Sequence, residues 1–237
     1  MSRSNNKLGD GPAKRLVEFG RRLLADRLTT GTGGNLSLRE RESGHIWITP
    51  SGIPYDELEP DEVSLLDNEG QRLAGAEPSS EWHLHLEVYR RRPEVGSVVH
   101  THSPFATTFA ILRREIPACH YLIGVTGGSR LRVAPYSLFG TPELAQVTAE
   151  ALGDENCILM ANHGLLAVGQ NLEKAYAVAL YCEEVAELYH RASSLGEPSL
   201  LSSVEMEAAI ERFQTYGRPK SNAGTNSATQ TGPSARK

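Results

Sequence analysis

The chain is poor in several things that would each have named a class. It has three cysteines in 237 residues, Cys119, Cys157 and Cys182, scattered and without C-x-x-C spacing. That excludes a disulfide framework and a redox or zinc-ribbon motif, and fits reduced, buried thiols in a cytoplasmic protein. No apolar run approaches the length of a membrane span, and Met1-Ser2-Arg3-Ser4-Asn5-Asn6 lacks the apolar stretch of a signal peptide. Basic residues are outnumbered, giving a net charge of −5. A nonspecific nucleic-acid binder needs a basic surface, so that class is set aside, although a local pocket for a phosphorylated metabolite is not. There is no internal repeat.

What is present is enough chain for one large α/β domain, with helical and strand signals intermixed. Residues 1–11 read as a flexible N-terminus. Pro12 to Leu28 reads as a helix whose apolar stripe carries Leu16, Leu23, Leu24 and Leu28. The glycine-rich loop Thr30-Gly31-Thr32-Gly33-Gly34-Asn35 follows. Short strands are expected at 36–38, 46–49 and 63–66, with a hairpin turn at Asp67-Asn68-Glu69-Gly70. Residues 79–92 carry two signals. Trp82, Leu84, Leu86 and Val88 alternate like a strand, whereas Ser79, Ser80, Glu81 and the late Arg90-Arg91-Arg92-Pro93 mark a helix start and stop. We read a helix. Beyond it come a buried strand at 97–101, a helix at 104–113 and a strand at 130–134. A helix capped by Thr141 with Pro142 at its first position follows. Strands at 157–161 and 165–168 flank the turn Asn162-His163-Gly164, Asn171 caps a long helix to about residue 192, and a last helix covers 203–214. Residues 218–237 are too polar to bury themselves and read as a disordered tail.

The chemistry sits in three histidines. His100 and His102 follow the β-branched pair Val98-Val99, and in a strand residues i and i+2 share a face. His163 follows the strand-like run Cys157-Ile158-Leu159-Met160. Three neutral imidazoles with one open position suit a catalytic zinc better than a closed structural one. The pair His83-Leu84-His85 has the same spacing but falls in the expected helix, where positions i and i+2 are about 200° apart and cannot meet on one ion.

In order along the chain stand Gly33-Gly34-Asn35-Leu36-Ser37, Ile48-Thr49-Pro50-Ser51-Gly52-Ile53-Pro54-Tyr55, Ser79-Ser80-Glu81-Trp82, His100-Thr101-His102 and Asn162-His163-Gly164. Together they resemble the class II aldolase/adducin family, over about residues 12–217, which would form the domain. The resemblance is strongest to the members that act on L-fuculose 1-phosphate. It implies a three-layer α/β/α fold with a mixed, mostly antiparallel central sheet, and a homotetramer with active sites at subunit interfaces. It implies one zinc ion (Zn2+) per subunit on His100, His102 and His163, with Glu81 as fourth ligand at rest and as acid/base in turnover.

The resemblance further implies phosphate binding by Gly34, Asn35, Ser51, Gly52, Ser79 and Ser80, glycine loops and hydroxyls near a helix N-terminus that favour an anion. Three aromatic residues would reach a neighbouring subunit's site: Tyr121 to exchange the proton on the aldehyde-derived oxygen, and Phe139 and Tyr216 to shape the aldehyde pocket. The implied reaction is reversible cleavage of a ketose 1-phosphate into dihydroxyacetone phosphate and an aldehyde. The ketose is L-fuculose 1-phosphate or a 5-deoxy- or 5-methylthio-pentulose 1-phosphate. Alternatives within the family are an epimerase, a decarboxylase or a dehydratase. One of another class is a noncatalytic, adducin-like interaction module. Arg113, Arg114 and Arg130 lie near the motifs without an assigned role.

Overall fold

The computed structural model describes residues 11–215. The expected N-terminal segment before that range, Tyr216 and the C-terminal tail lie outside the described residues. At the centre is a sheet of eight strands, β1 (Asn35–Arg39), β2 (Ile46–Ile48), β3 (Ser64–Leu66), β4 (Arg72–Ala74), β5 (Ser97–Thr101), β6 (Val133–Ala134), β7 (Cys157–Met160) and β8 (Gly164–Gly169), in the order β4-β3-β2-β1-β5-β8-β7-β6. Every pairing is antiparallel except β6 with β7. The mixed, mostly antiparallel sheet expected from the resemblance is therefore present.

The helices are α1 (Pro12–Ala25), α2 (Trp82–Arg91), α3 (Pro104–Leu112), α4 (Pro142–Leu152), α5 (Leu172–Leu195) and α6 (Ser203–Thr215), with a short 3-10 helix at Tyr121–Thr126. They cover both faces of the sheet, and the central strands show it residue by residue. On β8, Leu165 and Ala167 belong to the core shared with α1, α3 and α5, whereas Leu166 and Val168 belong to the core shared with α2 and α4. On β7, Cys157 and Leu159 face one way and Ile158 and Met160 the other. Strands buried on both faces need continuous apolar runs instead of alternation, and this is why 157–160 and 164–169 are legible without polar punctuation.

The segment 79–92 resolves as helix, beginning at Trp82 with Glu81 at its N-cap. Thr141 accepts from the Leu144 amide and Asn171 from the Lys174 amide, as their capping positions predict. Among the expected boundaries that move, two have a visible cause. The first helix ends at Ala25, because Arg27 turns left-handed (φ 57°) and the amides of Arg27 and Leu28 bond back to Leu24 and Leu23. This Schellman turn keeps Leu28 fully buried after the helix has stopped, so Leu28 extends the apolar stripe without extending the helix. The strand expected at 130–134 shortens to Val133–Ala134. Leu131 instead pairs with Ile116 in an isolated bridge.

Candidate active site

The centre of the sheet brings the three histidines together. His100 lies on β5 opposite Asn35 of β1 and Leu166 of β8. His102 follows one residue beyond the strand, and His163 sits in the three-residue turn joining β7 to β8. That turn is tight for two reasons. Asn162 takes the left-handed conformation (φ 55°), which Asn tolerates better than most residues. Gly164 lies so close to β5 that an added Cβ would stand 2.3 Å from the Thr101 carbonyl oxygen. Gly34 does the same on the other side: φ is 70°, and a Cβ there would stand 2.6 Å from the His100 carbonyl oxygen. The glycines of Gly33-Gly34-Asn35 and Asn162-His163-Gly164 thus admit the backbones that carry the imidazoles.

Glu81 completes the set from the start of α2. Its Oε2 is 3.2 Å from His100 Nε2 and its Oε1 3.2 Å from His163 Nε2, and His100 Nε2 is 2.9 Å from His102 Nε2. One ligand atom from each of the four residues lies within 4.8 Å of all the others. The ligands of a tetrahedral zinc stand about 3.3 Å apart, given bonds of ~2.0–2.1 Å. The donor set fits such an ion on two further counts. His100 Nδ1 is 2.9 Å from the Leu165 carbonyl, which can only accept, so the proton sits on Nδ1 and the Nε2 lone pair faces the centre. Glu81 Oε1 is buried without a hydrogen-bond partner, an arrangement that is costly unless a cation satisfies it.

The electrostatics point the same way. Burial alone would raise the Glu81 pKa, but His100 and His163 outweigh it, joined by the Asn35 amide, and hold the carboxyl far below its usual range. Burial and the neighbouring His100 push His102 down to about 3 and His163 to about 4, so both are neutral ligands at neutral pH. His100 is raised: burial opposes its charge, and Glu81 more than compensates.

The centre opens into a cleft of about 440 Å³ whose lining includes Gly34, Asn35, Ser51, Gly52, Ser79, Ser80, Phe139 and His163. All six residues expected at the phosphate are there, and among the described residues no lysine or arginine lines it. An anion in this cleft would rest on hydroxyls, amides and the α2 N-terminus. Two of the expected donors are used otherwise. The Ser51 amide donates to the Glu77 carbonyl, leaving Ser51 its exposed hydroxyl, and the Asn35 side-chain amide donates to Glu81 Oε2 at 2.9 Å.

The aromatic residues divide. Phe139, 65% exposed, lines the cleft of its own chain, because the segment before α4 folds back until Gly140 approaches Ser80. Tyr121 is not among the cleft residues; it is 54% exposed and stacks on Phe213. The sequence reading passed over Tyr136 and Asn162, which also line the cleft. Arg113, left without a role, donates from Nε to Asn162 Oδ1 at 2.9 Å and lies over the Tyr136 ring. Arg130 pairs with Glu115 on the surface.

Comparison with known proteins agrees with this geometry. Residues 14–190 match the family described as Class II Aldolase and Adducin N-terminal domain. A 5-deoxy-D-ribulose 1-phosphate aldolase of Bacillus thuringiensis serovar kurstaki is 43% identical over 204 residues, which is 86% of this chain and 95% of that one. An L-fuculose phosphate aldolase of Escherichia coli K12 is 41% identical over 191 residues, 80% of this chain and 88% of that one. The solved structure of an L-fuculose 1-phosphate aldolase superposes with a TM-score of 0.84 at 40% identity, covering 87% of this chain and 97% of that chain. The chain belongs to the class II aldolase and adducin family, and it is an enzyme of the aldolase kind, a lyase.

Proposed function

We propose that this aldolase uses one zinc ion, held by His100, His102, His163 and, at rest, Glu81, to cleave a ketose 1-phosphate reversibly into dihydroxyacetone phosphate and an aldehyde. The observation that carries the reading is the convergence of three imidazoles and one ionised carboxylate, whose Oε1 has no hydrogen-bond partner, at the floor of a cleft with hydroxyl and amide donors at its rim. When bound, the ion supplies the positive charge that a developing enediolate needs. Imidazole ligands would also take other divalent ions.

The remaining steps fall to residues of the chain. Ser51, Gly52, Ser79, Ser80 and the backbone at Gly34 hold the phosphate. In the condensation direction Glu81, ionised at neutral pH, removes the proton beside the ketone; in cleavage the same group returns it to that carbon. Tyr121 of a neighbouring copy takes the proton from the C4 hydroxyl as the C3–C4 bond breaks. Its exposure and its absence from its own cleft support service to another subunit in a homotetramer. Phe139 shapes the aldehyde side of its own cleft, and Tyr216 is assigned to the same pocket by resemblance.

For the ketose we favour the 5-deoxy- and 5-methylthio-pentulose 1-phosphates and L-fuculose 1-phosphate, the substrates for which the relatives are named. The cytoplasm is the setting such metabolites and three free thiols suit. No described helix is long and apolar enough to cross a membrane. The test is dihydroxyacetone phosphate release from these three ketose 1-phosphates by the zinc-loaded enzyme. Release from at least one is expected, and the preferred ketose identifies the aldehyde. Absence of release from all three would overturn the reading in favour of an epimerase, decarboxylase or dehydratase.

A further inference from the structure

Behind Glu81 a polar ladder runs into the core between β1 and α2. Asn35, Ser37 and Arg39 are alternate residues of β1, so they leave the sheet on one face about 6.6–6.8 Å apart. Glu81, His85 and Tyr89 are four apart along α2, about 6 Å per step on one stripe. The two spacings match, and the side chains meet rung by rung. The Tyr89 hydroxyl is 2.7 Å from Ser37 Oγ, and Ser37 Oγ is 2.6 Å from His85 Nδ1. His85 Nε2 is 2.5 Å from Asn35 Oδ1, and Asn35 Nδ2 is 2.9 Å from Glu81 Oε2. Arg39 closes the far end by donating to the Tyr89 carbonyl at 3.0 Å and lying over its ring. Asn35, Ser37, Glu81, His85 and Tyr89 are all buried.

The inventory of donors fixes the direction of the ladder. An ionised carboxylate only accepts, so Asn35 presents its NH2 to Glu81 and its Oδ1 to His85. That oxygen also only accepts, so His85 carries its proton on Nε2 and its bare Nδ1 takes the Ser37 O–H. Ser37 in turn accepts from Tyr89. Every donor points toward Glu81, and such chains polarise cumulatively in a buried setting. The opposite amide orientation would set Asn35 Oδ1 against Glu81 Oε2, acceptor against acceptor. That clash excludes it, and a neutral His85 ring, kept so by burial, holds the same orientation from the other side through its Nε2–H.

We propose that His85 is a positioning residue. With Ser37 and Tyr89 behind it, His85 orients the Asn35 amide so that its NH2 is delivered to Glu81 Oε2. Glu81 Oε1, 3.2 Å from His163 Nε2 and without a hydrogen bond of its own, is left as the oxygen that exchanges protons with substrate. The role rests on the reading of Glu81 as acid/base given above.

Two measurements on the full chain test it. Nitrogen-15 NMR of histidine-labelled, zinc-loaded protein, with His85 assigned from the spectrum of His85→Gln, is expected to show the Nε2–H tautomer at neutral pH. The Nδ1–H tautomer or a cationic ring would overturn the proposal. In steady-state kinetics, His85→Phe is expected to lower kcat by about 10–100-fold with KM little changed. His85→Gln, whose amide can place an N–H near the Nε2 position, should recover most of that loss. Folded His85→Phe with wild-type kcat, or an equal loss in both variants, would overturn it. If His85→Phe does not fold, Ser37→Ala serves. It removes the donor behind Nδ1 while Asn35 still holds the proton on Nε2, so it should lower kcat with KM little changed, and an unchanged kcat would count against the ladder. Wild-type enzyme that cleaves no ketose 1-phosphate would instead defeat the functional reading, and the tautomer would still decide the ladder.

Discussion

The pattern His-x-His occurs at 83–85 and again at 100–102, and the backbone separates the two copies. At the end of β5 the two imidazoles turn the same way, and their Nε2 atoms stand 2.9 Å apart on the cleft. On α2 they diverge: His83 stacks on Trp82, half-buried, while His85 is wholly buried against β1. Spacing acquires chemical meaning only with a backbone to carry it. A strand makes i and i+2 partners, whereas a helix makes i and i+4 partners. The second rule gives the helical pair its own significance, because His85 is four residues from Glu81.

Substitutions across the two pairs should therefore separate into distinct losses. The largest is expected for His100→Ala, which removes a ligand and the partner of Glu81. It should purify without metal and fall to background cleavage, read by metal analysis and dihydroxyacetone phosphate release; a fully metallated, active variant would take the triad out of the site. Glu81→Gln comes next. It should keep its zinc through three imidazoles yet lose about 10²–10⁴-fold in turnover, the usual scale of a lost acid/base group, and normal cleavage would sink the assignment.

A smaller effect is expected in stability against pH. His85 is pushed down to about 3 by burial, with His100 adding to the shift and Glu81 opposing it, against an ordinary value of 6.5. Between those values the unfolded chain binds a proton that the folded chain refuses. Stability should then fall as pH drops below 6.5, by up to about 1.4 kcal/mol per pH unit for this one group. Urea unfolding across that window should show a shallower slope for His85→Phe than for wild type; identical slopes would show that His85 does not titrate as a buried neutral ring. The smallest effect belongs to His83→Phe. It should leave cleavage unchanged and move stability by less than about 1 kcal/mol, and a large activity loss there would erase the contrast between the two helical histidines.

Much of this was readable from residues alone. Apolar runs at 97–101 and 157–168 mark strands buried on both faces, and the Gly-rich turns beside them mark where backbones crowd. The candidate metal set was legible because β-branched residues lead into His100 and a tight turn carries His163. Less legible was whatever depends on direction instead of position. Leu28 continues the helical stripe, and only the left-handed Arg27 shows that the helix has already ended. Asn35 reads as a loop donor for phosphate, but its register opposite His100 turns the amide toward Glu81. Phe139 reads as reaching a neighbour's site, and that its loop also sets it at its own cleft is a matter of the fold. The recurrence of polar residues at 81, 85 and 89, matched by 35, 37 and 39, was a visible signal whose meaning required the pairing of α2 with β1.

The most direct test of the whole account is a single assay run three times on one wild-type preparation: dihydroxyacetone phosphate release from the preferred of the three ketose 1-phosphates as purified, after removal of metal by a chelator, and after return of one equivalent of zinc per chain. The account predicts cleavage, its loss and its recovery. Undiminished cleavage by the metal-free protein would contradict it.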